Sequence, residues 1–203
     1  MARGIGLVRP ESFKFRWRRL KVNNEPVSVA PLTLSLNGCT TDQPIWSERN
    51  IDYGLGSYAV DQVKQLLKER QQRNAVVSAE VVVASASFDK KQRFCFDIIP
   101  ASEERKLRNE LTKLDGYSEL MRHATRAYVF YQHKLYSEAV DEVDLALQLS
   151  PETDYLLADA IKAHFQLGDE EGVKGLLERL ERVSPGSELY RETLELTGLR
   201  KKE

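Results

Sequence analysis

From about residue 102 onward, apolar positions recur at intervals of three, four and seven; before residue 100 they mostly alternate. The first spacing is that of one helical face, the second that of a half-buried strand. The pattern predicts an α+β N-terminal domain over residues 1–100, a mainly antiparallel sheet with one helix, followed by an all-α domain over residues 101–203.

In the first half, residues 13–22 alternate as a strand, with Phe13, Phe15 and Trp17 on one side and Lys14, Arg16 and Arg18 on the other. The phase slips at Arg18-Arg19, as a bulge would allow. Asn23-Asn24-Glu25-Pro26 reads as a turn, and residues 27–36 as a second strand interrupted at Pro31. Asn37-Gly38 reads as the next turn, residues 39–50 as a polar loop, and residues 51–56 fit no element. Residues 59–71 have helical spacing, with Val63, Leu66 and Leu67 facing inward and Lys64, Lys68 and Arg70 outward. Two strands, 76–84 and 93–99, follow around a hairpin turn at Asp89-Lys90-Lys91, and Pro100 closes the domain.

In the second half, a helix over residues 102–114 opens with Glu103-Glu104, which suits the positive end of the helix dipole, and ends at Asp115-Gly116. Two helix pairs follow. The first runs 121–131, breaks at Gln132-His133-Lys134 and resumes over 137–149; the second runs 154–167, breaks at Gly168-Asp169 and resumes over 170–183. Each closes on a Ser-Pro pair, Ser150-Pro151 and Ser184-Pro185, 34 residues apart. A shift of 34 aligns Ala127 with Ile161, Phe130 with His164, Ala139 with Val173, Val143 with Leu177, Ala146 with Leu180 and Leu149 with Val183. All but the His164 pair are apolar in both copies. A last amphipathic helix spans 187–197, with Ser187 as N-cap and Gly198 as stop.

These residues resemble the tetratricopeptide (TPR) family, whose unit is a helix-turn-helix of this length. Ala127, Ala139 and Ala146 match its small positions, Tyr136-Ser137-Glu138-Ala139 its aromatic-x-acidic-Ala run, and Pro151 its closing proline. The second unit is bulkier, with Ile161, Val173 and Leu180 at the small positions. The resemblance covers about residues 117–185 and implies two TPR-like repeats between capping helices. It also implies a concave groove lined by the first helix of each unit: Met121, Ala124, Tyr128, Tyr131 and Gln132, then Tyr155, Ala158, Asp159, Lys162, Phe165 and Gln166. Tyr128, Tyr131 and Phe165 are expected to be exposed there, as aromatic anchors for a partner peptide or helix. Ala124 and Tyr128 stand where the family's carboxylate clamp has Lys and Asn, and Asp159 would repel a terminal carboxylate, so chaperone C-termini are not the expected guests. A second run, Asp52 to Val60 with the helix and strand after it, resembles the C-terminal part of GDYxxLxY-type bacterial membrane-anchored proteins, although their naming motif is absent.

Composition limits the chemistry. The 203 residues hold three histidines, His123, His133 and His164, all in the helical half. There is no HExxH, no Cys/His metal spacing, no GxSxG and no P-loop, and Gly54-Leu55-Gly56 lacks a third glycine. An enzyme is not expected, nor a metal or cofactor. His164 occupies a packing position and reads as a satisfied boundary histidine. Cys39 and Cys95 have no CxxC spacing and read as free thiols, with a disulfide as the alternative. No run approaches the ~18 apolar residues of a membrane span, and the N-terminus lacks the apolar core of a secretory signal. The expected compartment is the cytoplasm, or the cell envelope if a signal or anchor had been removed.

The formal net charge of −1 hides an asymmetry: residues 1–100 hold 15 basic and 10 acidic side chains, residues 101–203 hold 15 and 21. Such halves suit two partners or docking on one another. The basic residues Lys14, Arg16, Arg18, Arg19 and Lys21 can be read as a solvated strand edge that resists edge-to-edge pairing, as a dock for an acidic protein surface, or as a contact for nucleic acid or anionic lipid. Nucleic acid is the least expected, because alternation turns the aromatics away from the basic face. The leading expectation is a non-catalytic adaptor, scaffold or assembly factor; the alternative is a nucleic-acid- or anionic-surface-associated protein using the basic strand.

Overall fold

The computed structural model describes residues 5–16, 21–22, 25–26, 30–38, 44–52, 55, 57–72, 78–84 and 92–198. Two compact units divide the chain: one comprises residues 102–198 with the short run 5–7, the other residues 8–101.

The first half is an α+β region. Its strands are β1 (Ile5–Val8), β2 (Phe15–Arg16), β3 (Lys21–Val22), β4 (Glu25–Pro26), β5 (Leu32–Gly38), β6 (Pro44–Ile51), β7 (Ser57–Tyr58), β8 (Ser78–Ala84) and β9 (Gln92–Ile98), with helix α1 (Asp61–Gln72) between β7 and β8. A five-stranded sheet has the order β1-β9-β8-β5-β6, and β5 pairs antiparallel with β6 and β8, as β8 does with β9. β2 with β7 and β3 with β4 form separate two-stranded pairs.

Alternation sets which face is covered. Leu32, Leu34 and Leu36 of β5 are fully buried, while Thr33 and Ser35 on the other face are half-buried. Full burial of each leucine contributes about 1.5–3 kcal/mol. Ser35 faces Ser47 across the β5–β6 register, with their hydroxyls 2.9 Å apart. Val63 and Leu67 of α1 are also fully buried. Gln71 Nε2 donates to the Ile99 carbonyl at 2.9 Å, tying the end of the helix to the residue after β9. Phe13, Phe15, Trp46 and Phe96 make a ring cluster, with Phe15 stacked on Trp46 at 5.4 Å and Phe13 5.3 Å from Phe96.

Several expectations change here. Residues 39–50 are not all loop: Pro44–Ile51 is a strand, held by pairing with β5 although, among its described side chains, only Trp46 and Ile51 are buried. Asn37-Gly38 is not a turn but the end of β5, where Asn37 pairs with Pro44 on one side and Glu80 on the other. Glu25–Pro26 is a strand partner of Lys21–Val22 rather than part of the turn. Within the strand expected over 13–22, Phe15–Arg16 and Lys21–Val22 pair with different partners. β1 was not anticipated. The helix over 59–71 begins two residues later, since Asp61 is its first residue, and its Leu66 is only half-buried. The hairpin turn at 89–91, the phase slip at 18–19, Trp17, Cys39 and the side chain of Cys95 lie outside the described residues.

The second half is helical: α2 (Ala101–Thr112), α3 (Glu119–Gln132), α4 (Tyr136–Leu149), α5 (Asp154–Leu167), α6 (Glu170–Val183) and α7 (Glu188–Thr197). Local chemistry starts and stops them. The hydroxyl of Ser187 accepts from the Tyr190 N–H at 3.1 Å, Asp169 Oδ1 accepts from the Gly172 N–H at 3.1 Å, and Ser118 accepts from Met121 N–H at 3.5 Å. Gly168 and Gly198 end α5 and α7 in the left-handed conformation, at φ 76° and 64°. Five of the six pairs related by 34 residues are covered in both copies; in the sixth, Leu149 is 47% exposed while Val183 packs on the core. α5 is the central helix, in contact with α3, α4, α6 and α7. Leu156, Leu157, Ala160 and Ile161 are at most 2% exposed, so it is covered on nearly all sides.

Candidate functional site

Where α3, α4 and α5 meet, the helices leave a cleft of about 100 Å³. Its floor is small and apolar: Ala127 from α3, Ala139 and Val143 from α4, and Ala163 from α5. Its rim is polar and aromatic: Tyr128, Tyr131 and Gln132 from α3, and Asp159 and Lys162 from α5. The hollow exists because alanines meet where larger side chains would fill the helix–helix space. Pockets for drug-sized ligands run to roughly 300–1,000 Å³; this smaller cleft suits a single side chain.

Tyr128 is 58% exposed, and its ring stands at the cleft mouth. Tyr131 is half-buried and meets Tyr136 of α4 edge-on at 5.4 Å. Burial, and then the neighbouring Tyr131, hold the Tyr136 phenol above its ordinary pKa, so it stays neutral. Lys162 Nζ lies 3.3 Å from Asp159 Oδ1, a half-exposed pair of opposite charges on the rim.

Five groove residues expected from sequence, Tyr128, Tyr131, Gln132, Asp159 and Lys162, come together here. Met121 and Tyr155 are 53% and 51% exposed on the same two helices but do not line the cleft. Ala124 is half-buried against the core, and Gln166 is half-buried. Three residues depart from expectation: Tyr131, expected to be exposed, is half-buried against Tyr136, and two more lie on α5. Ala158 is 1% exposed and belongs to the core, and Phe165 packs on the core instead of standing free, because α5 is enclosed by its neighbours. The floor was missed: Ala127 and Ala139 read as helix–helix spacers, and nothing in the spacing marks Ala163.

Each histidine meets a carboxylate. His123 Nδ1 lies 2.6 Å from Glu142 Oε2, and Arg126 reaches the other oxygen at 3.7 Å. His133 Nε2 lies 3.2 Å from Glu110 Oε2. His164 Nδ1 lies 2.8 Å from Asp169 Oδ2, and its Nε2 lies 3.7 Å from Asp144 Oδ1. Burial pushes the His164 imidazole down, but the facing Asp144 carboxylate and the hydrogen-bonded Asp169 carboxylate outweigh it, so its pKa is raised. Among the described residues no group of three or more His, Cys, Asp or Glu is arranged to hold a metal ion.

Of the basic strand, Lys14 is exposed between the buried Phe13 and Phe15. The side chains of Arg16 and Lys21, and Arg18 and Arg19 altogether, lie outside the described residues. Among those described, no helix is long and apolar enough to cross a membrane. In comparison with known proteins, no family model matches the chain and no curated protein matches it.

Proposed function

We propose that this chain is a non-catalytic adaptor whose helical half, two TPR-like hairpins with flanking helices, holds a peptide or helix of a partner protein across α3 and α5. The observation that carries the reading is Tyr128, a large ring 58% exposed beside an alanine-floored cleft sized for one side chain. A ring that stays in water forgoes the burial that would stabilise the fold. On a partner it supplies a broad apolar contact with a polar tip. Met121 and Tyr155 extend the same face, and the Asp159–Lys162 pair supplies polar partners at its rim. Two hairpins make a short groove, so a single site binds modestly unless the α+β half engages a second surface at the same time.

The test is site-specific photo-crosslinking in the native cell. A benzoylphenylalanine probe at position 128 is expected to capture a defined protein, and the same probe at the exposed Glu192 on α7 is not. Ala139→Leu, which fills the cleft, should abolish capture from position 128 in a chain that still folds. Equal capture from both positions, or capture indifferent to Ala139→Leu, rejects the site.

A further inference from the structure

His164 sits in the last turn of α5 with a side chain only 14% exposed. Its ring lies between two carboxylates from two other elements: Asp144 on α4, and Asp169 in the turn before α6. Asp169 is also the N-cap of α6, since its other oxygen accepts the Gly172 N–H. One imidazole thus joins the end of α5, the body of α4 and the start of α6.

A second observation points to the same cluster. Gly172 is the third residue of α6, where glycine costs about 1 kcal/mol relative to alanine. A Cβ at this position would strike the Asp169 carboxylate and come within 2.9 Å of His164 Nδ1. The glycine leaves the space in which the carboxylate turns to both the amide and the imidazole.

We propose that His164, Asp144 and Asp169 form a proton-operated clasp that tightens α6 and α4 onto α5 when the imidazole is charged and loosens them when it is neutral. The charged ring carries an N–H on both nitrogens, Nδ1 hydrogen-bonded to Asp169 and Nε2 facing the Asp144 carboxylate at 3.7 Å; the neutral ring has one N–H and must leave one side without it. The C-terminal end of α5 further favours the cation. Asp144 and Asp169 are the charged groups facing the ring; α3 and α7 contribute no ion pair to it among the described residues. Because the folded pKa lies above the unfolded one, the stabilisation is fully present below about pH 6.5 and is lost as pH rises through the folded value. The clasp is independent of whether the α3–α5 cleft takes a guest.

The experiment uses the whole chain. In wild type, NMR titration of the His164 ring should give a midpoint above that of an unperturbed imidazole, and Asp144→Asn and Asp169→Asn should each lower it. Urea unfolding between about pH 6 and about pH 8.5 should show the folded fraction falling with pH, and His164→Gln should reduce the change in unfolding constant over that window about threefold or more. His123→Gln and His133→Gln give the background of the other imidazole–carboxylate pairs. A His164 midpoint at or below the ordinary value, or the same pH dependence in His164→Gln as in wild type, overturns the proposal. If His164→Gln does not fold, the wild-type midpoint and its response to Asp144→Asn decide.

Discussion

The hydroxyl of Ser184 donates to Oδ2 of Asp154 at 3.1 Å, joining the residue that ends α6 to the residue that begins α5. Beside it, Arg179 Nη2 donates to the Pro151 carbonyl at 2.9 Å, fastening α6 to the turn before α5. The two bonds close one end of the second hairpin. Ser184→Ala should therefore lower stability by about 0.5–1.5 kcal/mol, the range for one net hydrogen bond. The urea midpoint should fall with an unchanged slope; no shift would mean that Asp154 finds equal compensation in water.

Gly168 takes φ 76° at the end of α5, and nothing lies within 4 Å of a Cβ built there. The cost of Gly168→Ala is then conformational rather than steric, about 1–2 kcal/mol of destabilisation. Thermal unfolding reads it directly. A neutral or stabilising effect would show that the α5–α6 turn can close without a left-handed residue.

Gly172→Ala should behave unlike an ordinary helical glycine. Elsewhere in an exposed helix the change gains about 1 kcal/mol. Here the new methyl displaces the Asp169 carboxylate from the Gly172 amide and from His164. The gain should be cancelled or reversed, since losing a helix N-cap costs about 1 kcal/mol. A full stabilisation in denaturant titration would refute this account of the turn.

Leu34 lies at the centre of β5, fully buried between two paired strands. Leu34→Ala should cost about 2–5 kcal/mol. Tyr128→Ala, at a position 58% exposed, should change stability by no more than about 0.5 kcal/mol while weakening partner capture. The contrast separates a ring kept for contact from a side chain kept for folding. A large stability loss for Tyr128→Ala would place that ring in the core and remove it from the proposed groove.

Helices α5 and α6 span the residues their sequence predicts, 154–167 and 170–183, because their signals are local. Pro151, Gly168, Asp169 and Pro185 act within one turn of the chain, whatever lies beyond it. The buried positions of α4 and α6 were legible for the same reason, as periodic apolar faces. β6 was not legible: a mostly polar run becomes a strand only because β5 offers it hydrogen bonds. Asn37-Gly38 carries a turn signature yet pairs on both sides, as long-range pairing overrides local preference.

Of the cleft's rim, Tyr128, Tyr131, Gln132, Asp159 and Lys162 were among the residues that the TPR resemblance implied as groove lining. Spacing could not say that α5 would be enclosed, drawing Ala158 into the core and Phe165 against it, or that Ala127, Ala139 and Ala163 would leave a hollow. Nor could it bring Asp144 and Asp169 to the two sides of His164. Periodicity and caps are properties of neighbours along the chain and are written in the amino-acid order. Enclosure, hollows and charge pairs depend on distances between helices, which exist only once the chain has packed.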